Sequence, residues 1–224
     1  MNLILYYLFV YLIEAIILWL YCNRIFTSRK NTFLSLLITI GMFSLLIPVA
    51  ILTNAALNAF CSFIVYLCCI VLNYDSKPVW ALFHALALTI LMALSEGLIA
   101  AAIPDITIYA FRDGNIHSSA FTFVILSKSV YLCISQLVTR IFSKDTVNNA
   151  SIRKSTLMLY LIPVMSSIIT VSLGYICING KLSGSDSVIV FICLVLLLSI
   201  NILTFYLQQD ISQKNVEYAR LQIE

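Results

Sequence analysis

Three ionisable residues interrupt stretches that are otherwise almost wholly apolar: Glu14, Glu96 and Lys128. Lys128 lies inside residues 120–142, AFTFVILSKSVYLCISQLVTRIF, a run long enough to cross a bilayer. An ammonium group in hydrocarbon is costly, so such a residue pairs, snorkels to an interface or faces the protein interior. The two carboxylates supply partners; Glu96–Lys128 is the expected pair and Glu14–Lys128 the alternative. Such a pair fixes the register of two helices, and removing one partner strands the other charge. Three uses are open to this intramembrane polar core. It can be a switchable contact beneath a ligand site, structural glue between helices, or part of a proton or ion path.

Other candidates for chemistry are weaker. His84 shares a helical face with Leu88, Leu91 and Ser95, and reads as a hydrogen-bonded structural histidine more readily than a catalytic one. No second His or Cys has the depth and spacing of a peptidase dyad, so no catalytic residue is expected. The polar stretch PDITIYAFRDGNIHSS, residues 104–119, carries Tyr109, Phe111, Arg112, Asp113 and His117. Aromatic faces beside an Arg–Asp pair suit a ligand with both apolar and charged features, such as a peptide. They equally suit an aromatic anchor at the membrane interface. Most of the seven cysteines lie in apolar segments and read as small hydrophobes. A Cys61–Cys177 bridge is the one disulfide weighed. No set of residues has the spacing of a metal site, and no cofactor is expected.

The elements that position these residues follow from composition. The 224 residues are 62% hydrophobic and 10% charged, whereas soluble domains are about 45–50% apolar and about 25% charged. The chain is therefore an all-α, polytopic membrane helix bundle; its long blocks lack the short alternation of a β-barrel. Seven apolar blocks are read at about 2–21, 32–52, 57–73, 79–103, 120–142, 157–178 and 187–207. Each approaches the roughly 17–25 residues a spanning helix needs. Six spans is the rival count, with the second and third blocks forming a re-entrant pair or one block lying in the interface. The first block is a retained helix and not a cleavable signal, because Glu14 interrupts it and its basic residues follow the apolar run.

Charge placement gives the orientation. With the amino terminus outside, the inner connections and tail hold Arg24, Arg29, Lys30, Lys77, Arg140, Lys144, Arg153, Lys154, Lys214 and Arg220. Outside lie only Arg112 and Lys181. This asymmetry is the positive-inside pattern and puts the carboxyl terminus in the cytoplasm. A net charge of +3, scattered over the chain, gives no surface for nucleic acid. Residues 1–207 then form the membrane domain, and 208–224 begin a cytoplasmic helical linker. From Ser187 to Glu224 there is neither Gly nor Pro. The seam Leu207, Ile211, Lys214, Tyr218 and Leu221 permits either a short coiled coil or an exposed helical extension.

Taken in order, several segments resemble the amino-terminal sensor domain of peptide-pheromone receptor kinases of the accessory-gene-regulator type. These are the acidic residue of the first helix, LSKSVYL around Lys128 with a basic exit at Arg140, LIPVMSSII at 161–169, and NILTFYLQQDISQKN at 201–215. The resemblance implies a homodimeric, multi-pass receptor in a Gram-positive cell membrane that senses a secreted, often cyclic, peptide. It also implies a histidine kinase module of GHKL type on the cytoplasmic side. The present residues contain no phosphoacceptor or ATP-binding region, so no enzyme activity is expected of them. A small-solute transporter or channel and a membrane-embedded peptidase are the alternatives.

Overall fold

The computed structural model describes residues 3–52, 55–104, 118–142, 161–179 and 184–221. Helix α1 (Leu3–Ile25) contains no Gly or Pro and ends as the chain turns into a two-residue strand, β1 (Thr27–Ser28). Asn31 caps α2 (Thr32–Ser44), its side chain accepting from the Phe33 amide at 3.3 Å, which satisfies one of the free N–H groups of the first turn. The second apolar block does not run unbroken to residue 52. Leu45 and Leu46 donate three residues back, to Met42 and Phe43, and a short α3 (Ile47–Ile51) follows. Pro48 is the cause: it lacks an N–H, and its ring opposes the carbonyl four residues earlier, so the helix breaks and restarts with Pro48 in its first turn.

Helix α4 (Ala55–Asn73) leads into β2 (Tyr74–Asp75), which pairs antiparallel with β1, Thr27 opposite Asp75 and Ser28 opposite Tyr74. This small ladder ties the ends of α1 and α4 together and is the one departure from an all-helical chain among the described residues. Its ion pair, Arg29 to Asp75 at 3.2 Å, is exposed on both sides and adds little. Burial at this turn raises the Tyr74 phenol above its ordinary value; the Tyr74 hydroxyl donates to Asn23 Oδ1 at 3.2 Å.

Then come α5 (Pro78–Ala102), α6 (Ser118–Ile141), α7 (Leu161–Asn179) and α8 (Gly184–Leu221). Five segments are long and apolar enough to cross a membrane: Leu3–Ile25, Thr32–Ile51, Pro78–Ala102, Ser119–Ile141 and Ser185–Asn215. Apolar segments of α4 and α7 are shorter. The centre of the bundle is α5, of whose apolar window 72% is buried against 28–39% in the other four. It packs against α4, α6, α7 and α8, while α1 packs against α2, α3 and α6. Small residues on α5 permit this close approach. A Cβ added at Gly97 would meet Leu194 Cδ1 of α8 at 3.3 Å.

The outside of the bundle is apolar. On α8, Val188, Ile189, Ile192, Leu196, Ile200 and Leu203 are all exposed. Asn201, Thr204, Gln208 and Ser212 of the same helix are buried. That inversion of the soluble pattern is what hydrocarbon as the surrounding solvent demands. Asn201 Nδ2 donates to Ser166 Oγ of α7 at 2.6 Å, a buried polar link between helices. Helix α8 crosses positions 207 and 208 without a break.

Candidate functional site: an ion triad among three helices

Lys128 faces inward because of its place on α6. Val124, Ser127, Lys128, Tyr131, Ser135 and Val138 are buried, a stripe of three- and four-residue steps along one helical face. Ser127 and Ser135 return their hydroxyls to the carbonyls of Val124 and Leu132, so neither competes for the ammonium. The Lys128 ammonium donates to Oε1 of Glu14 on α1 and to Oε1 of Glu96 on α5. Both pairings foreseen as alternatives exist at once, since an ammonium carries three donors.

The two carboxylates are held differently. The side chains of Lys128 and Glu14 are each 3% exposed, whereas that of Glu96 is 40% exposed. Glu14 Oε2 is buried without a hydrogen-bond partner. With all three groups ionised the triad sums to one negative charge.

A layer of tyrosines surrounds it. Tyr6, Tyr11, Tyr66 and Tyr131 lie within electrostatic reach of the triad. Three of their hydroxyls are engaged elsewhere: Tyr11 donates to Asn58 Oδ1 at 2.8 Å, Tyr131 to Tyr66 at 3.5 Å, and Tyr66 to Met92 Sδ at 3.2 Å. Sequence reasoning missed this layer; the available signal was a set of polar-tipped aromatics recurring within apolar helices. A narrow apolar cleft of about 190 Å³ between α1 and α6, walled by Ile13, Ile17, Ile125 and Leu132, also reaches Lys128. The larger cleft, about 400 Å³, sits at the α1–α2 turn around Trp19, Arg24 and Thr32 and holds none of the three charges.

His84 is fully buried near the start of α5, its Nδ1 hydrogen-bonded to the Tyr21 hydroxyl at 2.8 Å. Aromatic rings of Phe26, Trp80, Phe83 and Phe142 enclose it. This is the geometry of a packed structural histidine. Among the described residues no group of three or more His, Cys, Asp or Glu side chains gathers as a metal site. Cys61 is a free thiol. The candidate ligand residues Tyr109, Phe111, Arg112, Asp113 and His117 lie outside the described residues.

These features define a class: a multi-pass α-helical membrane protein with a charged triad enclosed by three of its helices. No family model, curated protein or solved structure matches the chain.

Proposed function

We propose that this chain is the membrane sensor domain of a peptide receptor of the accessory-gene-regulator type. In this reading seven spans place the amino terminus outside the cell membrane. A secreted peptide binds at the outer face, where Tyr109, Phe111, Arg112, Asp113 and His117 contribute. Two copies form the working receptor, and a rearrangement of helices reaches a cytoplasmic histidine kinase module. A ligand achieves this by binding one helix arrangement more tightly than another.

The observation that carries the reading is α8. Its 38 residues extend about 57 Å at 1.5 Å per residue, well beyond a hydrocarbon core of about 30 Å. Its first half presents an apolar face, and its last turns carry Asp210 and Lys214 in an exposed ion pair at 2.8 Å. One rigid element thus joins the packed bundle to a polar region beyond it. The triad supports the same reading, because it couples α1, α5 and α6 through charges that a purely structural bundle does not require.

Two measurements test this. Labelling of single cysteines placed at the two termini should report opposite sides of the membrane; labelling from the same side removes the signalling route. Candidate cyclic peptides should bind the chain in nanodiscs, and Arg112→Ala and Asp113→Ala should weaken that binding without changing the labelling pattern. The acid–base triad favours a small transporter as the second reading, which predicts solute flux in liposomes.

A further inference from the structure

We propose that the cleft at the end of α1 binds the phosphate headgroup of an anionic phospholipid, one of whose acyl chains lies in the adjoining apolar cleft between α1 and α6. This site is independent of the receptor reading, since its groups and their geometry are the same whatever ligand or partner the chain serves.

The first observation is the charge at one end of the bundle. The ladder of Thr27–Ser28 against Tyr74–Asp75 brings the ends of α1 and α4 together. Phe142, which follows α6, packs on Trp80 and His84 near the start of α5. Arg24, Arg29, Lys30, Lys77 and Arg140 therefore share this end. Among the described residues of these segments the acid is Asp75, which Arg29 engages at 3.2 Å. Residues 143–160 add Lys144, Arg153 and Lys154 against Asp145, so their composition does not reverse the sign. A basic pocket between helices at a membrane face suits an anionic lipid headgroup.

The second observation is the shape and lining of the site. The cleft of about 400 Å³ is walled by Trp19, Leu20, Asn23, Arg24 and Thr32. Trp19 Nε1 donates to the Thr32 carbonyl at 3.3 Å, which fixes the indole between α1 and α2, as tryptophan is placed at headgroup level. The Asn23 carboxamide oxygen already accepts from the Tyr74 hydroxyl at 3.2 Å, so the N–H end of that amide is the one left for a ligand. The exposed Arg24 guanidinium supplies paired donors for phosphate oxygens. Leu20 lines this cleft and also the narrower one of about 190 Å³, so the two adjoin. Ile13, Ile16, Leu20 and Arg24 follow one another at three- and four-residue steps along one face of α1. The eleven steps from Ile13 to Arg24 cover about 16 Å at 1.5 Å per residue. That is about half of a hydrocarbon core of about 30 Å, the reach of one acyl chain. On α6 the narrow cleft is bounded by Ile125 and Leu132. Ser129 returns its hydroxyl to the Ile125 carbonyl at 2.7 Å, and the Lys128 ammonium is committed to Glu14 and Glu96, so this wall is apolar. A molecule with an anionic head and an apolar tail fills both clefts, whereas a free phosphate fills only the first.

The test places the whole chain in nanodiscs of phosphatidylcholine with a minor fraction of phosphatidylglycerol. Bromine on the acyl chains of one lipid or the other quenches tryptophan on contact. Of the two tryptophans, Trp80 is fully buried and Trp19 lines the cleft. Brominated phosphatidylglycerol should quench Trp19 more than its share of the lipid predicts, and Trp19→Phe should abolish that selectivity. Arg24→Gln should lower the apparent affinity for phosphatidylglycerol about fivefold, equivalent to about 1 kcal/mol for one basic residue at an anionic surface. Arg140→Gln removes the same charge elsewhere at this end and should leave the affinity nearly unchanged. Ser129→Phe fills the apolar cleft with Arg24 intact and should weaken binding as well. Glycerol phosphate in large excess should not compete. Equal quenching by the two lipids, or selectivity that survives Trp19→Phe, would overturn the proposal. So would equal losses from Arg24→Gln and Arg140→Gln, which mark general surface charge, or an unaffected Ser129→Phe, which removes the acyl-chain half. Displacement by glycerol phosphate would overturn it in favour of a soluble phosphate. Arg24, Ser129 and Arg140 are exposed, and circular dichroism verifies that their variants fold.

Discussion

Replacing Lys128 by Met tests whether the triad holds the bundle together as well as decorating it. The substitution keeps an unbranched, flexible side chain and removes the cation between Glu14 and Glu96. Glu14 is then left 2% exposed with no counter-charge. Removing one partner of a buried ion pair costs about 3–5 kcal/mol. Glu96 adds less than Glu14, because its side chain is 40% exposed while that of Glu14 is closed off. Glu96→Gln alone should therefore cost less than Lys128→Met, since the Lys128–Glu14 pair remains. The double variant Glu14→Gln with Lys128→Met strands no charge at α1 and should recover most of the single-variant loss, a coupling that a double-mutant cycle measures directly. Reversible unfolding in mixed micelles at neutral pH supplies these free energies. The reasoning is refuted if Lys128→Met costs less than Glu96→Gln, or if the double variant is as unstable as the sum of its parts.

Three further outcomes follow from other parts of the fold. Tyr21→Phe leaves the buried His84 Nδ1 without its partner and should lower stability by about 1–3 kcal/mol, read by the same unfolding assay. Gly97→Leu forces a large side chain against Leu194 and should cost about 1–3 kcal/mol by overpacking, while Gly97→Ala should be tolerated through a small shift of the flexible Leu194. Arg29→Ala removes an exposed pair with Asp75 and should change stability by less than about 1 kcal/mol; a larger loss would mean that the short ladder carries weight beyond its size.

The parts of the site that could be read from residues alone are those set by local chemistry. Apolar blocks of bilayer length mark helices, and any charge within them stands out, so Glu14, Glu96 and Lys128 are legible as candidates. Their convergence is not. Sequence gives the depth of a residue along its helix and its rotation relative to near neighbours. It does not give the rotation of one helix against another, and that rotation lets a single lysine serve both acids. Pro48 shows the same division on a smaller scale: the residue itself breaks the helix at Leu45–Leu46, but that the restarted α3 seats against α1 and α4 is decided by packing.

Composition and block length by themselves determined that this is a helical membrane protein with charges inside it. Tertiary structure decided that α5 is the central helix, that the Glu96 side chain is more open than that of Glu14, and that Asn201, Thr204, Gln208 and Ser212 of α8 turn inward. Helix formation in hydrocarbon depends on hydrogen bonds within one segment, which its own residues dictate. Side-chain pairing across helices depends on close packing among distant segments, whose small and large residues fit together only once the whole bundle has assembled.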